Sequence, residues 1–137
     1  MLRRRPRAYK AALATLAACA ALVCARAGAE CTLIDDMSEF ATADARRDDQ
    51  RRLALASAEL ARELERRGMA PGPGDAARCW VQKVSNLILN INLEVRSESG
   101  AMRYRGSVDI RGNTDESWLR GARRLAQNLD EQRRAPR

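Results

Sequence analysis

Leu87-Ile88-Leu89-Asn90-Ile91-Asn92-Leu93-Glu94-Val95 and, a short turn later, Ala101-Met102-Arg103-Tyr104-Arg105-Gly106-Ser107-Val108-Asp109-Ile110-Arg111 decide the fold of this chain. In the first run the odd positions Leu87, Leu89, Ile91, Leu93 and Val95 are apolar, while Asn90, Asn92 and Glu94 occupy even positions. A period of two gives a strand with one core face and one wet face. The second run repeats the pattern, with Met102, Tyr104, Val108 and Ile110 alternating with Arg103, Arg105, Ser107, Asp109 and Arg111. Glu98-Ser99-Gly100 between them is a turn, so the two strands are expected to pair antiparallel.

Upstream, Trp80 to Ser85 is expected to add a third strand beside Leu87 to Val95, the weak point being a Ser85-Asn86 turn that lacks Gly. Cys31-Thr32-Leu33-Ile34-Asp35 is a further short β-prone run, ended by Asp35-Asp36 and Ser38. Between these lies a helical pattern from about Asp44 to Gly68. Leu53, Ala56, Leu60 and Leu64 recur there at spacings of three and four, with arginines and glutamates elsewhere. Gly68 and Pro71-Gly72-Pro73-Gly74 end that helix, and residues 69–78 read as a loop. Downstream of Arg111 the helical period returns, with Trp118, Ala122, Leu125 and Leu129 on one stripe and Arg120, Arg123, Arg124 and Asn128 opposite. Thr114 is the expected N-cap, and the tail from Arg133 to Arg137 is expected to be disordered. The fold expected is a two-layer α/β sandwich in the order β-α-β-β-β-α, a mostly antiparallel sheet with two packed helices, filling residues 30–132 as one domain.

The front of the chain reads differently. Arg3 to Lys10 is cationic, Ala11 to Val23 apolar, and Ala27-Gly28-Ala29 a small-residue cleavage motif, so residues 1–29 read as a secretory signal peptide. A competing reading takes Leu16-Ala17-Ala18-Cys19 as a lipidation box with Cys19 acylated. Membrane contact is thus expected only through the signal peptide or a lipidated Cys19. The formal charge of +7 invites a nucleic-acid reading, but the leader contains six of the 25 positive residues and no acid. Its removal leaves 19 positive against 18 negative residues, a net of +1, and no nucleic-acid partner is expected.

Cleavage also removes Cys19 and Cys24 and leaves Cys31 and Cys79. A strand at 31–35, a helix and a strand from 79 make a right-handed crossover whose strands are parallel and start at the same end of the sheet. Neighbouring strands stand about 4.8 Å apart, within the range a disulfide tolerates. A Cys31–Cys79 bond is therefore expected, the competing reading being two separate buried thiols.

Zero histidines excludes Ser-His and Cys-His nucleophiles and zinc sites built on imidazole. No metal or cofactor is expected. Asn113, Asp115 and Glu116 form a polar cluster at a strand-to-helix junction, a place where ligands are often held. Thr114, Asp115 and Glu116 are equally what helix capping and the helix dipole require. Arg103, Arg105 and Arg111 line the outward face of one strand. That face is either solvated or an interface for a polar ligand or an envelope protein. A carboxylate hydrolase on Asp109, Asp115 and Glu116 is the alternative from another class, and it predicts a concave pocket with a raised carboxylate pKa.

Trp80-Val81-Gln82-Lys83-Val84-Ser85-Asn86-Leu87-Ile88-Leu89-Asn90, followed by Gly106-Ser107-Val108-Asp109-Ile110-Arg111-Gly112-Asn113-Thr114-Asp115-Glu116-Ser117-Trp118 and Arg120-Gly121, resembles the C-terminal half of an uncharacterised bacterial secreted family. This is the domain of unknown function numbered twenty-three-eighty, also carried as thirty-two-eighty. The resemblance covers roughly residues 79–126 and is weaker at the first strand and helix. It implies the periplasm of a Gram-negative bacterium and carries no activity or catalytic residue to this chain, for which a non-catalytic binding or envelope-assembly module is expected. In architecture the order of elements is similar to the small α/β domain at the N-terminus of TolB, which is an analogy of fold and assigns no function. Family members have a longer segment where this chain has Met69 to Arg78, so the expectation is either a shortened domain or a damaged sequence that lacks a central piece of the sheet.

Overall fold

A computed structural model of the chain describes residues 31–35, 42–85 and 87–136. Residues 1–29, read above as a signal peptide, and Cys19 among them lie outside the described residues. Six elements follow in the order β1 (Cys31–Asp35), α1 (Ala43–Arg66), β2 (Ala76–Lys83), β3 (Ile88–Arg96), β4 (Met102–Arg111) and α2 (Asp115–Arg134). The strands form one sheet in the order β1-β2-β3-β4, with β1 parallel to β2 and the other pairs antiparallel. This is the expected α/β order. The short connection from Met69 to Asp75 leaves no missing strand between β1 and β2, which pair directly.

The core lies between the two helices and one face of the sheet. Leu53, Ala56, Leu60 and Leu64 of α1 and Trp118, Ala122, Leu125 and Leu129 of α2 are buried with Leu89, Ile91, Leu93 and Val95 of β3. The parallel register sets Cys31 opposite Cys79, and the two are disulfide-bonded with their Cα atoms 4.4 Å apart. Helix α1 closes in a hydrogen-bonded reversal in which the Met69 N–H donates to the Leu64 carbonyl (2.8 Å) and the Gly68 N–H to the Glu65 carbonyl (3.0 Å). Gly68 sits at φ 70°, the left-handed conformation that this motif asks of its glycine.

Several boundaries differ from the expected ones. β2 begins at Ala76, inside the segment expected to be loop, because Ala76 and Ala77 pair with Arg96 and Val95 of β3. Cross-strand pairing overrides the weak strand preference of alanine. Leu87 does not join the core face: β3 starts one residue later, and Leu87 is 70% exposed while its carbonyl accepts from the Gly112 N–H (2.8 Å). Met102 is also exposed, since a register shift at Val95/Arg96 breaks the alternation at that end. The turn without glycine is closed by Ser85, whose Oγ accepts from the N–H groups of Leu87 (3.2 Å) and Ile88 (3.1 Å). Helix α2 runs on to Arg134, where Arg133 and Arg134 both donate to the Asp130 carboxylate.

Candidate functional site

The junction that precedes α2 is built from Thr114. Its hydroxyl accepts from the Ser117 N–H (3.1 Å), and its own N–H donates to Ser117 Oγ (3.0 Å), a reciprocal capping box. Asp115 points across to α1, where it accepts from Arg51 Nη2 and Arg52 Nε, both at 2.9 Å. These two arginines hold its carboxyl at about 2, below the ordinary 3.8. Glu116 lies 3.6 Å from the Arg123 guanidinium. Asp115 thus ties the first turn of α2 to α1, and Glu116 reaches an arginine two turns further along α2.

Asn113 turns inward instead. Its carbonyl oxygen accepts from Trp118 Nε1 (2.8 Å), and its amide donates to Asp49 Oδ1 (3.3 Å). The other oxygen of Asp49 accepts from Lys83 Nζ at 3.0 Å. Trp118, Asn113, Asp49 and Lys83 therefore form one continuous chain beneath the sheet end, with Asp49 and Lys83 both buried.

The face of the sheet away from the helices follows from the register. Trp80 stands opposite Asn92, Gln82 opposite Asn90, Asn92 opposite Ser107 and Asn90 opposite Asp109. A row of hydrogen bonds crosses it: Asn92 Nδ2 donates to Asn90 Oδ1 (2.6 Å), and Asn90 Nδ2 donates to Asp109 Oδ1 (2.8 Å). The Arg78 guanidinium lies over the Trp80 ring, 4.7 Å from its centre. Arg103 pairs with Asp75, whose carboxyl is lowered by the Gly72 N–H and then by Arg103. Arg105 and Arg111, both exposed, make no hydrogen bond or ion pair among the described residues.

The six candidate residues therefore fall into three places. Arg105 and Arg111 lie on the open face without a side-chain partner among the described residues, with Arg103 tied down beside them. Asn113 belongs to the buried chain, and Asp115 and Glu116 to the helix contacts. Asp109 accepts from Asn90 on the open face while Asp115 and Glu116 pair with arginines of the two helices, and Asp115 is lowered where the hydrolase reading predicts a raised carboxyl.

A groove of about 420 Å³ runs along the outer edge of β4, between that strand and α2, past Ser107, Asp109, Arg111, Arg120, Arg124 and Asn128. Arg120 and Arg124 are exposed and, like Arg111, unpaired among the described residues. Sequence reasoning placed them on a solvated helix face, because the spacing of a helix does not say which strand edge lies alongside. Lys83 was also missed, although Cys79, Val81 and Lys83 continue one period-two face. A lysine on a core face demands a buried acid. Among the described residues no three His, Cys, Asp or Glu side chains group as a metal would require, and no helix is long and apolar enough to cross a membrane.

Among the described residues the fold and this face define a small α/β sandwich with one covered and one polar, open side of its sheet. Residues 72–129, which span β2 to most of α2, match the sequence family described as "Protein of unknown function (DUF2380)". No curated protein and no solved structure matches the chain.

Proposed function

We propose that this protein is exported to the periplasm, loses residues 1–29, and serves there without catalysis as a binding or envelope-assembly module. The observation that carries the reading is the open face. It presents Arg105 and Arg111, unpaired among the described residues, beside the linked amides of Asn90 and Asn92, while the acids at the start of α2 are occupied by arginines of the same chain. The cationic, apolar and small-residue succession of the leader supports export. The Cys31–Cys79 bond suits an oxidising compartment.

Intact mass of the exported form is expected to begin at Glu30, whereas an acylated Cys19 at its start would assign a lipoprotein. A photo-crosslinking residue at Ser107, on the open face, is expected to give a defined adduct in the intact envelope. The same residue at exposed Ala58 of α1 is expected to give none. Equal labelling from both positions, or none from either, defeats the binding-module reading.

A further inference from the structure

The edge of the sheet at β4 carries an inference that rests on the binding-module reading and makes its ligand specific. The Gly112 N–H donates to the Leu87 carbonyl, so by the alternation of an antiparallel ladder Gly106, Val108 and Ile110 turn their backbone groups toward β3. Ser107, Asp109 and Arg111 then turn theirs outward, and β4 is the last strand of the sheet among the described residues. The same three residues line the groove beside α2. An unpaired strand edge is a template for another strand.

Charge decides which strand. Among the described residues Arg111, Arg120 and Arg124 face the groove without partners, and the one acid that lines it, Asp109, accepts from Asn90 on the open face. A second copy of this chain pairing edge to edge brings the same arginines against these, with like charges in register. An acidic segment meets complementary charge instead. The geometry also fits. A Cβ on Gly121 would meet Ile110, and one on Gly106 would meet Leu125 and Leu129, so α2 runs alongside β4 in the opposite direction. Arg120 and Arg124 are one turn apart, about 6 Å along the helix, and alternate residues of a strand are about 6.6–6.8 Å apart.

We infer that the outer edge of β4 takes up an extended acidic segment of a partner protein as a fifth strand, with carboxylates at alternate positions reaching Arg120 and Arg124. Backbone pairing to Ser107, Asp109 and Arg111 supplies attachment, and the arginines select the acidic sequence.

The test uses the purified protein and a fluorescent octapeptide of alternating Val and Glu. Binding is read by anisotropy, and amide protection by hydrogen exchange. Expected are saturable binding, new protection of the Ser107, Asp109 and Arg111 amides, and at least tenfold weaker binding by the Arg120→Glu, Arg124→Glu double variant. Arg120 and Arg124 are exposed, so thermal melting of the variant is expected to match the parent. A peptide of alternating Val and Lys, and the Val–Glu peptide methylated at every backbone nitrogen, are expected not to bind. No binding of the Val–Glu peptide, or equal binding of either control, overturns the inference. So does protection of the three amides in a concentration-dependent dimer without peptide, which assigns the edge to a second copy. A loss of binding confined to Arg105→Glu moves the ligand to the open face, overturning the groove while leaving the binding-module reading intact.

Discussion

Asp49 and Lys83 are 1% and 7% exposed, and among the described residues each is the other's only counter-charge at hydrogen-bond distance. Removing one charge of a buried pair leaves the other without compensation, at a cost of about 3–5 kcal/mol. Asp49→Ala is expected to lose that much in urea unfolding, and Asp49→Leu with Lys83→Met to regain most of it. Equal losses in both would mean that packing, and not charge, governs the position. Asp115 behaves differently, being 45% exposed between Arg51 and Arg52. Because its folded pKa of about 2 lies below the ordinary 3.8, its pairing stabilises the fold above about pH 4 and is lost as pH falls through 2. The melting-temperature gap between the parent and Asp115→Asn is therefore expected to narrow from pH 5 to pH 2, and to shrink in high salt. A gap constant across that range would show that the carboxylate charge is not what matters.

At the scale of elements, α2 contains a glycine where a helix is expected to suffer from one. The reason is the contact with β4: a Cβ on Gly121 would stand 2.5 Å from Ile110 Cγ1, closer than two carbons tolerate. Gly121→Ala is expected to destabilise by about 1–3 kcal/mol despite its better helix propensity, measured by denaturant titration. A gain in stability would mean that α2 shifts without penalty. Periodicity made the elements legible: Leu89, Ile91 and Leu93 are buried and the stripe through Trp118, Ala122, Leu125 and Leu129 faces inward. It failed at strand ends, where Leu87 and Met102 follow local turns and a bulge. The candidate site was less legible for a related reason. The pairing of Asp115 with Arg51 and Arg52 spans more than sixty positions and depends on how α1 and α2 pack, which no local pattern specifies. Arg105 and Arg111 were readable because strand alternation alone places them outward.

For the whole molecule, the Cys31–Cys79 bond joins the shortest strand to the rest of the sheet across a separation of 48 residues. On the chain-entropy model, closing such a loop contributes about 4 kcal/mol. The Cys31→Ser, Cys79→Ser variant is expected to unfold earlier in urea by that amount, and reductant to lower the parent to the variant's midpoint without affecting the variant. If reductant leaves the parent unchanged, the bond does not contribute. The topology behind this bond was readable from the order of elements, since a crossover helix requires parallel strands and parallel strands bring both cysteines to one end.

The same bond changes how the chain responds to being pulled. Tension applied at the N-terminus enters at Cys31, crosses the sulfur bridge and leaves through Cys79, so β1, α1 and the turn after it lie outside the line of force. With the bridge intact, single-molecule stretching should release only the chain beyond Cys79. Reduction should lengthen the fully extended molecule by roughly 160–170 Å, the reach of 48 freed residues. Helix α1, with Asp49 under the sheet and Arg51 and Arg52 on Asp115, is a passenger under load: held in place by its contacts and carrying none of the tension.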